Sequence, residues 1–263
     1  MTSTPTVLER ILAEKRAHVA RRRQQFPLDP EAIERADLPR GFGSALEARI
    51  QEGKPAVIAE IKKGSPSKGV IRENYDVAQI AHSYDEHGAA CISCLTDIPF
   101  FFGADADLLT TRANAGCPVL RKDFIVDEYQ IFESYKLGAD CILLIVAALE
   151  DEALQHLHRR AQLLGMDVLV EVHNREECER ALAVTPSLLG INNRDLHDFS
   201  VSIENTLELL PIVPEGTLVV SESGIHSRDD VKVLREEGVG AFLVGEAFMR
   251  HDHPGKKLSE LFG

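Results

Sequence analysis

Residues 139–172 indicate the fold most clearly, and they read ADCILLIVAALEDEALQHLHRRAQLLGMDVLVEV. Two short apolar runs rich in Ile, Leu and Val, Ala139–Val146 and Asp167–Val172, flank a stretch with helical patterning. Gly165 stands just before the second run, where a glycine in the left-handed conformation commonly ends a helix. The stretch therefore predicts a strand, a helix and a second strand, which is the unit of a parallel sheet.

The same alternation continues from about residue 54 to the end of the chain, and Gly88, Gly138 and Gly238 occupy positions equivalent to Gly165. The predicted strands are Ala56–Ile61, Ala90–Leu95, Pro118–Lys122, Ala139–Val146, Asp167–Val172, Leu188–Asn192, Thr217–Ser221 and Gly240–Val244. Their spacing leaves room for one crossover helix each. An open doubly wound sheet is the alternative, but no Gly-x-Gly-x-x-Gly fingerprint follows the first strand. We therefore predict an α/β fold, a closed (β/α)8 TIM barrel.

The segment before the barrel has helical periodicity of its own. Apolar residues at helical spacing follow a start rich in Thr and Pro: Val7, Leu8, Ile11, Leu12 and Val19. We expect residues 1–53 to form an N-terminal helical extension packed on the barrel, and residues 54–263 to form the catalytic barrel domain.

Composition restricts the classes of partner and compartment. The 263 residues carry a formal net charge of −13, which argues against nucleic acid and anionic membranes as partners. No apolar run is long enough for a membrane span, and the N-terminus lacks the pattern of a secretory signal. The five cysteines are an odd number in apolar surroundings. Cys91 and Cys94 fall in a strand-like run that would point them to opposite faces, so we expect reduced core thiols and a cytoplasmic protein.

Polar residues collect at the predicted carboxyl ends of the strands, where barrels of this kind place their active sites. They are Glu60, Lys62, Lys122, Glu171, Asn192 and, at the end of the seventh strand, Ser221, Glu222 and Ser223. Of these, we expect Glu60, Lys62, Lys122, Glu171, Asn192 and Ser223 to form the site. Glu60 and Lys62 are two residues apart and share one face of their strand. Of the neighbours Arg121 and Lys122, only one can face the lumen, and Lys122 is in phase with Leu120. The alternative is that these charged residues form ion pairs with a purely structural role. Apolar side chains would fill the barrel mouth at a lower free-energy cost than four buried charges, which argues against that alternative.

Turns after the last strands indicate a phosphate site. Ser223-Gly224 follows the seventh predicted strand, Gly245-Glu246 follows the eighth, and Gly64-Ser65 belongs to the first loop. Phosphate in such barrels is held by backbone N–H groups of these loops. We expect Ser65, Gly224, Gly245 and Glu246 to bind it.

Several motifs together resemble those of the indole-3-glycerol phosphate synthases. The resemblance runs over essentially the whole chain, through AEIKKGSPS (59–67), LTD (95–97), LRKDFI (120–125), LVEVH (169–173), GINNRDL (190–196), SESGI (221–225) and GEAFM (245–249). It implies ring closure, decarboxylation and dehydration of 1-(o-carboxyphenylamino)-1-deoxyribulose 5-phosphate in tryptophan biosynthesis. It also implies that no metal or organic cofactor takes part.

The resemblance assigns roles to individual residues. It makes Lys122 the acid that protonates the ketone oxygen, and it offers Lys62 or Glu60 as the second acid and Glu171 as the base. Lys62 is equally suited to pair with the substrate carboxylate, so its role stays open. Asn192 and Ser223 would position the substrate. The resemblance implies substrate contacts for Arg194, Phe101, Phe124 and Leu143, although phenylalanines in a barrel are as often plain core.

The same residues allow other interpretations. Some relatives carry serine at the position of Glu246, so here only a backbone amide would reach the phosphate. The histidine pairs 156/158 and 251/253 lack an obvious third ligand, and we expect no metal.

The nearest rival function is that of an isomerase of phosphorylated ribulosylamines, or of a Schiff-base aldolase using Lys122. A non-catalytic ligand-binding barrel would lack the charged lumen. A monomer is expected, with weak association with other tryptophan-pathway enzymes left open.

Overall fold

Eight parallel strands close into a barrel, as the sequence predicts. A computed structural model describes residues 6–195 and 200–263 of the chain. Each strand pairs with its neighbours in sequence, and β1 pairs with both β2 and β8 to close the barrel. The strands are β1 Ala56–Ile61, β2 Cys91–Leu95, β3 Val119–Lys122, β4 Cys141–Ile145, β5 Asp167–Val172, β6 Leu188–Asn192, β7 Leu218–Glu222 and β8 Ala241–Val244. The first loop adds a small antiparallel hairpin of Gly64–Ser65 and Gly69–Val70.

Strands β1, β5 and β6 have the predicted bounds, β2, β3 and β8 each begin one residue later than predicted, and β4 and β7 differ at both ends. The predicted β4 was two residues too long at its start and one too long at its end, where a 3-10 turn, Val146–Ala148, follows Ile145 directly. The prediction for β7 was one residue early, and the strand extends to Glu222, which pairs with Asn192 and Leu243. This shift places an additional carboxylate at the carboxyl end of the barrel.

Helices cover the outside of the barrel. They are α1 Val7–Gln25, α2 Phe42–Gln51, α3 Val77–Glu86, α4 Ile98–Phe101, α5 Asp105–Asn114, α6 Glu128–Lys136, α7 Asp151–Leu163, α8 Arg175–Leu182, α9 Glu204–Leu209, α10 Arg228–Glu236, α11 Glu246–Met249 and α12 Pro254–Phe262. The four glycines predicted to end helices, Gly88, Gly138, Gly165 and Gly238, all have positive φ. They let the chain turn sharply into the next strand without a Cβ clash.

Two helices precede the barrel, and α1 docks on its carboxyl end. Thr6 and Glu9 form a capping box at the start of α1. The buried side chain of Lys15 reaches Asp97 and Asp123, which follow β2 and β3, with Nζ–O distances of 2.8 and 2.6 Å. A buried ammonium between two buried carboxylates fixes the position of α1 on the barrel, because moving the helix would leave unpaired charges.

The barrel interior is apolar below its carboxyl end. Leu120, Leu143, Leu169, Val220 and Leu243 belong to one buried cluster. All five cysteines are free, and Cys91 and Cys94 are both buried. Within the described part of the chain, no helix is long and apolar enough to cross a membrane. The apolar floor leaves polar chemistry to the layer of side chains above it.

Candidate active site

Every residue predicted for the site lines one pocket at the carboxyl ends of the strands. The predicted residues found there are Glu60, Lys62, Ser65, Phe101, Lys122, Phe124, Leu143, Glu171, Asn192, Arg194, Ser223, Gly224, Gly245 and Glu246. Glu222, His173 and the α1 residues Val7, Leu8 and Ile11 line the same pocket. Side chains from all eight barrel strands or the loops after them thus converge with one helix of the extension.

Lys122 lies at the centre of the charged layer. Its Nζ is 2.8 Å from Glu171 Oε2 and 3.6 Å from Glu222 Oε2. Burial disfavours the ammonium, but the carboxylates of Glu171, Glu222 and Glu60 outweigh burial and raise the pKa of Lys122. Lys122 therefore holds its proton and carries it into the pocket, within reach of a bound group.

Arg121 points away from the pocket, to the outside of the barrel. Its guanidinium contacts Asp105 on α5 and Glu133 on α6, each at 2.9 Å. Its Nε also donates to the hydroxyl of Thr96. The two adjacent basic residues therefore have separate functions: Lys122 faces the lumen, and Arg121 ties the strand to the surrounding helices.

Glu171 contacts three polar side chains, one each from β3, β6 and the loop after its own strand β5. Besides Lys122, its Oε1 lies 3.4 Å from Asn192 Nδ2 and 3.2 Å from His173 Nε2. Burial opposes ionisation, yet Lys122 and His173 hold the pKa of Glu171 well below its usual range. The carboxylate is therefore anionic and able to accept a proton.

Glu222 is a lumen residue that the sequence indicates as a polar strand end but not as part of the predicted site. Burial raises the pKa of Glu222 to about 8, with Glu171 and Glu60 adding repulsion against the attraction of Lys122. Gly190 on β6 makes room for it, since a Cβ there would collide with Glu222 Oε1. The strand period could have found Glu222: it is in phase with Val220, which faces the interior.

Glu60 and Lys62 face the pocket from β1 as a close pair. Lys62 Nζ donates to Glu60 Oε1 at 2.5 Å. Gly245 at the end of β8 lies against this carboxylate, and a Cβ at that position would collide with the Glu60 side chain. The pair thus lies between the charged centre and the turn after β8.

An apolar wall faces the charged layer. The rings of Phe101 on α4 and Phe124 after β3 have centroids 5.9 Å apart. Leu8 and Ile11 of α1 extend this wall over the pocket. A flat aromatic group would find ring and aliphatic surfaces there, next to fixed acids and amines.

The turns predicted to bind phosphate lie together at one side of the pocket. Ser223 and Gly224 both have positive φ, 65° and 76°, which turns the backbone sharply after β7. Glu246 begins the short helix α11 and pairs with Arg250 at 2.9 Å. Its side chain is thus occupied by a neighbour, and its backbone N–H is the group this residue presents to an anion. Within residues 6–195 and 200–263, no cluster of three or more His, Cys, Asp or Glu could hold a metal ion.

Solved structures with the same fold have distant sequences. KGPDC from Streptococcus mutans superposes with a TM-score of 0.59 at 12% identity, covering 79% of this chain and 95% of that one. The N-acetylmannosamine-6-phosphate 2-epimerase from Clostridium perfringens gives 0.59 at 15% identity, covering 74% and 87%. A mandelate oxidase variant gives 0.57 at 17%, covering 71% and 65%. These similarities establish the barrel fold.

The closed barrel and the charged layer at its mouth define a (β/α)8-barrel enzyme. The family model of indole-3-glycerol phosphate synthase matches residues 8–261, and the chain belongs to that family. Its activity is that of a carboxy-lyase of tryptophan biosynthesis, which acts on a phosphorylated small-molecule substrate. The fold and the activity that the motifs implied are thus confirmed.

Proposed function

We propose that Lys122 is the acid that drives ring closure in this enzyme. The observation that carries this assignment is the position of its ammonium between Glu171 and Glu222, beneath the apolar wall. As the aromatic carbon that bears the carboxylate attacks the ribulose ketone, negative charge develops on the ketone oxygen. Lys122 supplies the proton for that oxygen, and the new carbon–carbon bond forms without a free alkoxide.

The second half of the reaction removes carbon dioxide and then water. Once decarboxylation has restored the aromatic ring, the new hydroxyl leaves with a proton from an acid while a base takes a proton from the carbon next to nitrogen. We assign the base to Glu171, whose burial beside two cationic groups keeps it ionised. Lys62 or Glu60 is the acid. Lys62 is also placed to pair with the substrate carboxylate before that group leaves.

The remaining residues of the site hold the substrate. Asn192 and Ser223 position the reacting sugar, and Arg194 binds the substrate carboxylate. Phe101, Phe124 and Leu143 pack against the anthranilate ring. The phosphate is bound by Ser65, Gly224, Gly245 and the backbone of Glu246.

We also infer how the chain is organised and where it works. The extension of residues 1–53 is proposed to pack on the barrel of residues 54–263, which the buried contacts of Lys15, in the part described from residue 6 onward, support. A cytoplasmic location is proposed, because all five cysteines are free. A monomer is proposed, because this chain supplies every group that the proposed reaction uses. Weak association with other enzymes of the pathway is compatible with this, and sedimentation across a concentration series would reveal a larger assembly.

One assay tests the assignment of the reaction to these groups. Purified enzyme with the carboxyphenylamino substrate should generate the fluorescence of an indole product, and Lys122→Met should abolish most of it. Borohydride added during turnover should leave Lys122 unmodified. Trapping of substrate on Lys122 would instead assign Schiff-base chemistry to this lysine and overturn its role as an acid.

A further inference from the structure

We propose that His173 is a positioning residue for Glu171: clamped by Glu177 on α8, its imidazole fixes the carboxylate and keeps it anionic during turnover. The inference rests on the proposed role of Glu171 as a base. His173 follows β5 two residues after Glu171, so both side chains lie on the same side of the chain. In the proposed reaction His173 neither gives nor takes a proton.

The imidazole lies between two carboxylates. Its Nε2 is 3.2 Å from Glu171 Oε1, and its Nδ1 is 3.0 Å from Glu177 Oε2. The backbone N–H of His173 donates to the same Glu177 oxygen at 2.9 Å. Only 5% of the His173 side chain is exposed. A protonated ring carries an N–H on each nitrogen: Nδ1 hydrogen-bonds Glu177, whereas Nε2 lies at ion-pair distance from Glu171 without hydrogen-bond geometry.

Glu177 is itself held by the start of α8. Asn174 caps the helix by accepting from the Glu177 backbone N–H at 3.0 Å, and its amide donates to Glu177 Oε1 at 2.9 Å. Asn205 on α9 donates to the His173 carbonyl at 3.1 Å. Both carboxylate oxygens of Glu177 and the backbone of His173 are therefore fixed, and the ring has one orientation, directed at Glu171.

The charges around the ring favour the imidazolium form. Burial lowers the pKa of His173, but Glu171 and Glu177 together raise it to about 10. Glu171 faces further groups: Lys122 on β3, Asn192 on β6 and the carboxyl of Glu222 on β7. The Glu60–Lys62 pair of β1 completes the charged layer. Among these described groups, Lys122 and His173 are the cations in contact with Glu171.

This arrangement matters at the moment when Lys122 acts. Transfer of its proton to the ketone oxygen leaves Lys122 a neutral amine, and Glu171 then loses its main cationic partner. A nearby opposite charge stabilises an ionised carboxylate. His173 supplies that charge and keeps Glu171 ionised until it takes the proton lost from the carbon next to nitrogen.

His173→Gln tests the inference, because glutamine can still donate a hydrogen bond but carries no charge. Removing the cation should raise the pKa of Glu171. The acidic limb of the profile of kcat against pH should therefore move about one pH unit higher. We expect kcat to fall roughly tenfold on that limb and only about twofold above neutral pH, with KM nearly unchanged. Glu177→Gln keeps an acceptor for both N–H groups of His173 and should shift the limb less, in the same direction.

Two outcomes would overturn the inference. If kcat of folded His173→Gln fell equally at every pH, the ring would be structural. If KM rose while kcat stayed constant, it would be a substrate ligand. The variant Glu171→Gln distinguishes a failure of this inference from a failure of the proposed function. Full activity of Glu171→Gln would refute the proposed role of Glu171 as the base. An inactive Glu171→Gln with an unshifted His173→Gln profile would refute only the role of His173.

Discussion

Lys15 Nζ lies 2.6 Å from Asp123 Oδ1, so a buried ammonium of the N-terminal helix contacts the residue that follows Lys122. The same ammonium is 2.8 Å from Asp97, whose side chain caps α4, the helix that ends with Phe101. Burial opposes this charge, yet the two carboxylates raise the pKa of Lys15. One side chain therefore links α1 to both the catalytic strand and the aromatic wall.

We predict that Lys15→Met destabilises the protein by about 3–5 kcal/mol, because it leaves two buried carboxylates without their cation. Denaturant unfolding at neutral pH measures this. The loss should shrink in strong acid, because, against the effect of burial, Lys15 and Arg121 hold the pKa of Asp123 below its usual value and protonation there removes a charge that Lys15 pairs with. Arg21→Met is the control: it breaks an exposed pair with Glu14 on the same helix and should change stability by less than about 1 kcal/mol. Equal losses in the two variants would contradict the role of Lys15.

The sequence predicted the strands and the in-phase lumen residues because both depend on local periodicity. Glu60 and Lys62 follow from the period of two, and Lys122 follows from its phase with Leu120. Glu222 falls among the polar strand ends but outside the predicted site, because the predicted β7 ended at Ser221, and a boundary error of one residue is enough to omit a lumen side chain. The end of β7 depends on its pairing with β6 and β8, and the local sequence pattern of β7 carries no information about that pairing.

The contacts of Lys15 and His173 could not be predicted for a different reason. Lys15 reaches residues more than 80 positions away, and its surroundings exist only after α1 has docked. His173 meets Glu177 through the first turn of α8, a local contact, but its charge depends on Glu171 as well. The sequence shows which residues are polar, while the folded barrel determines which of them become buried partners.

We predict that Leu8→Ala raises KM about three- to tenfold with a smaller change in kcat, because Leu8 contributes to the wall over the pocket. Steady-state kinetics measure the split. Val19→Ala is the matched control: Val19 is buried on the same helix but does not line the pocket. It should reduce stability and leave KM unchanged. An unaltered KM in Leu8→Ala would exclude a contribution of α1 to substrate binding.

Gly224→Ala should raise KM at least about tenfold. Gly224 has φ +76°, and a Cβ would lie 2.8 Å from Val201 Cγ1, so the turn proposed to bind phosphate must shift. Gly216→Ala is the control, because Gly216 has φ +91° but no atom within 4 Å of an added Cβ. Gly216→Ala therefore strains the backbone without displacing a neighbouring atom, and its KM should equal that of the native enzyme. If an unphosphorylated substrate analogue bound the native enzyme as tightly as the substrate, the phosphate site would be misassigned.

The pKa of about 8 for Glu222 predicts a basic limb in kcat/KM. Ionisation above that pH adds a negative charge to a pocket that binds a carboxylate and a phosphate, so kcat/KM should fall as pH rises. Glu222→Gln stays neutral and should lose this limb. Glu208→Gln, at an exposed position of α9, should retain it. A limb that persists unchanged in Glu222→Gln would belong to another group.

The sharpest prediction compares the two adjacent basic residues of β3. Lys122→Met keeps the length of the side chain and removes the proton, so kcat should drop about 10²–10⁴-fold with KM much less affected. Arg121→Met acts on the other face: it leaves Asp105 and Glu133 without a buried guanidinium and should destabilise the protein by about 3–5 kcal/mol. In the folded fraction of Arg121→Met, kcat should stay close to that of the native enzyme, because Arg121 does not line the pocket. Active-site titration with a tight-binding product analogue corrects each kcat for unfolded protein. A larger loss of kcat in Arg121→Met than in Lys122→Met would contradict this assignment. It would mean that β3 is shifted in register by one residue, so that Arg121 faces the lumen and the acid is not Lys122.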